Sequence, residues 1–249
     1  DMIFIGGSTG DQCETCIAQL RQTTERPIML FPGNIAQFTP TADALLFLSL
    51  LNARTPDVLI QPHIHIAQQV LQSGIETIPM GYILIDGDRK SSVEIATQCI
   101  PIPQNNIREI VSTAIAGQLL GKQLIYLEAG SGAKTPISAE IIRAVRAQLS
   151  VPLIVGGGIT TPEAMLHAFE AGADVVSANT FGANILKYTP DELDSVIGAA
   201  IRCAREAQRS VTDRETWVAL DIGPTGKMLE PFGDLPFERA VEVFAQTVR

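Results

Sequence analysis

The feature that most constrains the fold is an alternation repeated eight times. A short run of branched and aromatic apolar residues is followed by a longer segment with apolar residues at helical spacing. The runs lie near 2–6, 27–31, 44–49, 77–85, 123–129, 152–156, 174–179 and 216–221. Several, such as ALLFLS and PLIVG, are apolar on both strand faces. Strands of that kind belong to a parallel sheet covered by helices. The segments between them carry helix signals. Thr189, Pro190 and Glu192 join an N-cap hydroxyl, a first-turn proline and a carboxylate three residues on. Thr135-Pro136 predicts a helix start ahead of Ile137, Ile141, Val145 and Leu149. Thr161-Pro162 predicts another, which Gly172 stops. Eight such units in 249 residues predict an α/β chain folded as one (β/α)8 TIM barrel over 1–249. An open doubly wound sheet is the competing arrangement. The irregular stretch 86–104 is expected to be a long loop over the barrel mouth.

Composition narrows the function. With 46% apolar residues the chain can fill a large core, and its net charge of −9 argues against a nucleic-acid surface. No apolar run reaches the length of a membrane span. Cys13, Cys16, Cys99 and Cys203 contain one CxxC and no second pair, so a zinc ribbon is excluded and the first two are expected to be ordinary helix residues. Such cysteine usage fits a reducing, cytoplasmic setting. His63 and His65 stand two apart with no third ligand nearby. A solvated loop or a supporting role is expected of them. A homo-oligomer is open to such a barrel.

The chemistry is expected at the strand C-termini, where barrels carry their sites. Glycines cluster there: Gly6-Gly7-Ser8, Pro32-Gly33-Asn34, Gly130-Ser131-Gly132 and Gly156-Gly157-Gly158. Glycine lets backbone N–H groups approach a ligand closely, and phosphate accepts several such bonds at a helix N-terminus. Gly156, Gly157 and Gly158 lie between a strand and the helix opened by Pro162, the place for a phosphate grip. Tyr126 and Glu128 alternate along one strand and share a face. A carboxylate inside a barrel is costly unless paired, so Glu128 reads as a ligand for substrate hydroxyls. A structural hydrogen bond to a neighbouring strand is the competing reading.

Six motifs are similar, in order, to those of the geranylgeranylglyceryl phosphate synthase family: IGGS at 5–8, LFPGN at 30–34, ADALLFLSLLNAR at 42–54, IPMGYILIDG at 78–87, YLEAGSGA at 126–133 and PLIVGGGI at 152–159. The resemblance covers about 1–174. It implies a barrel that joins sn-glycerol 1-phosphate to a polyprenyl diphosphate, with Mg²⁺ and loss of pyrophosphate. It implies that Tyr126, Glu128 and Gly130 hold the glycerol phosphate, with Tyr126 and Glu128 catalytic. Ser131, Gly132, Gly156, Gly157 and Gly158 would bind phosphate, Ser8 would sit near the Mg²⁺–diphosphate, and Leu46, Leu48 and Tyr82 would line a prenyl channel.

Two departures stand out. The family opens with a strand bearing an Asp-Pro-Asp-Lys-like motif, which the sequence lacks, and VVSANTFGAN at 175–184 stands where the family has a Gly-Asn. Residues 172–249 instead resemble the homocysteine-binding barrel of cobalamin-dependent methionine synthases, without its zinc cysteines. Together the two resemblances imply a permuted or chimeric barrel, engineered or natural. Synthase-like units over 1–174 would join methyltransferase-like units over 175–249 near Ala171–Asp174. Strand 216–221 would close against 2–6, with Asp221 and Lys227 in the places of the missing carboxylate and lysine. A scaffold without turnover, keeping at most phosphate binding, is the alternative to the enzyme.

Overall fold

The computed structural model describes residues 2–7, 13–178, 180, 182–222, 227, 233–236, 238–240 and 242–243. Eight parallel strands close into one barrel in chain order. They are β1 (Met2–Gly7), β2 (Ile28–Pro32), β3 (Ala44–Leu50), β4 (Glu76–Leu84), β5 (Leu124–Glu128), β6 (Leu153–Gly156), β7 (Val175–Ala178) and β8 (Trp217–Ile222). The layer outside holds α1 (Cys13–Leu20), α2 (Pro56–Leu59), α3 (Gln61–Ser73), α4 (Ser92–Thr97), α5 (Ile107–Leu119), α6 (Ala139–Arg146), α7 (Pro162–Glu170) and α8 (Pro190–Ser210). All eight expected runs are strands, and β8 closes on β1 with Met2 opposite Ala219 and Phe4 opposite Asp221. No helix among the described residues is long and apolar enough to cross a membrane.

Alternation of side chains along each strand builds separate cores. Phe4, Leu46, Met80, Leu124, Ile154 and Val175 fill the barrel interior. The opposite strand faces pack outward in two clusters. The larger joins Ile83, Ile125 and Val155 to Ile110, Ile141 and Phe169 on α5–α7. The smaller joins Ile3, Ile28 and Leu45 to Ile17, Leu20, Ile66 and Val70 on α1 and α3.

Several local expectations shift. α8 has the reciprocal Thr189–Glu192 capping box. α7 starts after Thr161 as read, but α6 begins at Ala139 with Ser138 as its cap. Thr135 is unavailable as a cap, because its hydroxyl donates to Asp88. The stretch 86–104 is not all loop, since Ser91 caps the short α4 within it. His63 and His65 lie on α3 rather than in a loop. Cys13 and Cys16 sit on α1 as expected, and burial together with the neighbouring Cys13 thiol pushes the Cys16 thiol up to about 12. It is therefore an inert packing thiol.

Candidate active site at the strand C-termini

β5 carries the polar centre of the site. Tyr126 and Glu128 point into the barrel and are 1% and 8% exposed. The Gly130 N–H donates to Glu128 Oε1 at 2.7 Å, and the Tyr126 hydroxyl donates to the same carboxylate. Burial holds the Glu128 carboxyl above its ordinary range, while those two hydrogen bonds pull the other way. Tyr126 also packs in an aromatic floor, its ring 5.4 Å from Tyr82 and 5.5 Å from Phe31.

The glycines beside this pair are required by geometry. Gly156 is level with Glu128 across the β5–β6 ladder. A Cβ at Gly156 would lie 2.3 Å from the Tyr126 hydroxyl and 2.8 Å from Glu128 Oε2. Gly157 and Gly158 have φ of 83° and 72°, a region that side chains disfavour. A Cβ on Gly157 would also stand 2.7 Å from the Gly130 nitrogen. Two successive glycines of this kind leading to the N-terminus of α7 make a backbone concavity suited to an anion.

A cavity of about 500 Å³ opens over this centre. Glu128, Tyr126, Ser131, Gly132, Gly157 and Gly158 form its polar wall. Its other arm is apolar and has a structural origin. β2 and β3 are paired only at Met29–Ala44 and Leu30–Leu45, whereas β3 and β4 stay paired over seven residues. Past Leu45 the strands part, and both faces of β3 line the cavity: Leu46 and Leu48 on one, Leu45 and Phe47 on the other. Ile66 and His63 of α3 back this arm, and Val93 and Ala96 of α4 cover the cavity.

Most of the expected site residues thus meet in one cavity: Tyr126, Glu128, Ser131, Gly132, Gly157 and Gly158, with Leu46, Leu48 and Tyr82. Gly130 and Gly156 stand behind them, bonding or making room for Glu128. Ser8 and the side chain of Asp221 lie outside the described residues; the Asp221 backbone is at the C-terminal end of β8. Lys227 forms an exposed ion pair with Asp234 at 3.3 Å. Among the described residues no group of three His, Cys, Asp or Glu could hold a metal ion. Ser8 and the Asp221 side chain, the residues expected beside Mg²⁺, lie outside that set.

Sequence reasoning missed Phe31, Phe47 and α4, and gave His63 a supporting role without its place. The alternation in PIMLF could have put Phe31 on the Tyr126 side. The parting of β2 from β3 has no signal in the sequence. His63 Nε2 lies 2.6 Å from the Leu48 carbonyl and its ring is 4.6 Å from Phe47, whereas its buried Nδ1 has no partner.

Comparison with known proteins gives the family. The model of the PcrB family matches residues 1–199. A geranylgeranylglyceryl phosphate synthase of Zunongwangia profunda is 46% identical over 180 residues, covering 72% of this chain and 77% of that protein. The synthase of Korarchaeum cryptofilum is 38% identical, covering 72% and 75%. The synthase of Thermoplasma acidophilum, solved with sn-glycerol-1-phosphate, superposes with a TM-score of 0.74 at 30% identity, covering 84% of this chain and 82% of that one. The family match runs through Ala171–Asp174, so the joint suggested there finds no support in it. That corner is tightly tied, with Asp174 bridging Arg146 at 2.9 Å and Arg214 at 3.2 Å. Matched over most of its length by the family model and by relatives well above 30% identity, the chain belongs to the PcrB family.

Proposed function

We propose that the chain is a prenyltransferase that joins sn-glycerol 1-phosphate to a polyprenyl diphosphate, forming a glyceryl ether phosphate and releasing pyrophosphate. One observation carries the reading: a single cavity has a buried Tyr126–Glu128 pair beside a glycine-lined wall and an apolar arm passing between β2 and β3. The two ends fit the two halves of such a reaction. Gly157, Gly158, Ser131 and Gly132 receive the acceptor's phosphate. Glu128, bonded by Gly130 and Tyr126, keeps lone pairs for the glycerol hydroxyls. The apolar arm takes the prenyl chain out of water.

In the reaction the glycerol hydroxyl oxygen bonds to the allylic carbon as the bond from that carbon to the diphosphate breaks. Glu128 orients the hydroxyl and accepts its proton. The aromatic floor of Phe31, Tyr82 and Tyr126 keeps the centre dry. Mg²⁺ belongs to this reading through the family resemblance, and when bound it neutralises charge on the departing diphosphate. It is a cation that takes phosphate and water oxygens readily and needs few protein ligands. The names of the related synthases, including one solved with sn-glycerol-1-phosphate, support the choice of acceptor.

The test is product formation, read by mass spectrometry, from sn-glycerol 1-phosphate and geranylgeranyl diphosphate with Mg²⁺. Ether phosphate that disappears in Glu128→Ala is the expected result. A well-folded chain that yields none would instead be a scaffold without turnover.

A further inference from the structure

The cavity lining has an electrostatic gap. It includes Glu128 and Asp57 but no lysine or arginine among the described residues. A phosphorylated acceptor brings about two negative charges to it at neutral pH. Backbone N–H groups supply partial charge only.

Arg89 is held beside that lining. Its loop, between β4 and α4, is fastened down at several points. The Gly87 carbonyl accepts from the Lys134 and Thr135 N–H groups at 2.9 and 3.2 Å. Thr135 donates to the Asp88 carboxylate, and Asp86 Oδ1 accepts from the Asp88 N–H at 2.9 Å. Asp88 itself turns the chain in the left-handed region, at φ 57°. Both neighbouring carboxylates are therefore occupied in shaping the loop. Arg89 donates to the Gly132 carbonyl at 3.2 Å and has no acidic partner among the described residues. A Cβ on Gly132 would come within 2.9 Å of the Arg89 guanidinium. Glycine at 132 thus makes room for the cation next to the wall that Ser131, Gly132, Gly157 and Gly158 form.

We propose that Arg89 is a specificity residue of this site, closing over the acceptor's phosphate from the rim while the glycine backbone holds it from below. The proposal rests on the glycerol phosphate reading of the cavity. A guanidinium suits the role because it offers paired donors in a plane that matches phosphate oxygens.

The experiment is calorimetric titration of the full chain with sn-glycerol 1-phosphate, paired with steady-state kinetics, for Arg89→Ala, Arg89→Lys and Lys90→Ala. Arg89→Ala is expected to weaken binding and raise KM for the acceptor by about 10- to 100-fold, the range for one charge-assisted contact, with kcat held within about threefold. Arg89→Lys should recover part of the loss, because it restores charge without the fork. Lys90→Ala, an exposed neighbour, should bind as the unaltered chain does. Unchanged affinity in Arg89→Ala overturns the proposal, as does an equal loss in Lys90→Ala or a loss confined to kcat. If the unaltered chain itself neither binds glycerol phosphate nor forms ether, the reading of the cavity fails and this proposal with it.

Discussion

The two sides of the barrel mouth are built differently. On the β5–β6 side the strands stay in register up to Glu128–Gly156, and the Glu128 carboxylate accepts from both the Gly130 N–H and the Tyr126 hydroxyl. On the β2–β3 side pairing stops after two residues, and the space is lined by Leu, Phe and Ile. The cores behind them differ as well, with a large cluster under α5–α7 and a small one under α1 and α3. The contrast fits what each side would do in the proposed reaction. Moving one atom of a charge-bearing pair about 1 Å can cost a hundredfold in rate. An apolar chain needs only a dry space of the right length.

The largest expected effect is on the tight side. Gly156→Ala would put a methyl group onto both the Tyr126 hydroxyl and Glu128 Oε2, and both would have to move. Turnover should fall about a hundredfold or more, and stability by about 1–3 kcal/mol for overpacking. Product assays and urea denaturation read the two effects. Near-normal turnover would show that the tight side tolerates slack, which breaks the comparison.

Glu128→Gln comes next, with opposite signs for function and stability. Loss of the proton acceptor should lower kcat about 100-fold or more. The folded protein raises the Glu128 carboxyl above its ordinary value of 4.5 through burial. Its contribution to stability is therefore fully present below 4.5 and is lost as pH rises through the raised value. Gln cannot ionise, so the variant should be the more stable protein at neutral pH, with the gap closing on acidification. Denaturation midpoints across that range give the answer. A variant less stable at neutral pH would mean that the bonds from Gly130 and Tyr126 outweigh burial.

These residues show how far the sequence could be read. Tyr126, Glu128 and the glycines were legible because strand alternation and chain order place them at one end of one barrel. The closure of β8 on β1 was legible from counting units. The apolar channel was implied at Leu46, Leu48 and Tyr82 by the family resemblance; its opening between β2 and β3 was not, because no residue pattern marks where their pairing stops. Phe47 shows the difficulty. Alternation assigns it outward, away from the interior, yet it lines the cavity because the cavity itself leaves the barrel there. The suggested second parent finds no support over 172–199, where the family match continues through the GADVVSANTFGAN run on which it partly rested.

Leu48→Trp sharpens the comparison from the loose side. Leu48 lines the apolar arm from β3, whereas the Tyr126–Glu128 pair is on β5. The larger ring should shorten the space for the donor. Selectivity should shift about tenfold or more toward shorter prenyl diphosphates, since each buried methylene contributes about 0.8 kcal/mol. Affinity for sn-glycerol 1-phosphate should stay within about twofold. Competition between prenyl donors of different length, read by mass spectrometry, tests it. Equal losses on both substrates would show that the two sides are one mechanical unit.

The smallest effect is expected at His63, where the loose side contains its one polar irregularity among the described residues. Nε2 lies within reach of the Leu48 carbonyl, which requires the Nε2–H tautomer and leaves Nδ1 buried without a partner. Burial is the main cause that lowers the imidazole pKa below 6.5; the Leu48 carbonyl opposes it, nearby Lys122 adds to it, and the Ile60 carbonyl, too poorly aligned to satisfy Nδ1, opposes it more weakly. A base lowered in this way contributes stability above 6.5 and loses it as pH falls through the lowered value. His63→Phe removes both the donor bond and the orphan nitrogen, two changes that nearly cancel. Stability at neutral pH should change by no more than about 1 kcal/mol. The informative difference is on the acid side, where the variant should lose less stability than the unaltered chain between about pH 6.5 and 5. Thermal melts in that interval decide it. Parallel curves would mean that His63 does not titrate there and that α3 seats on β3 through packing alone.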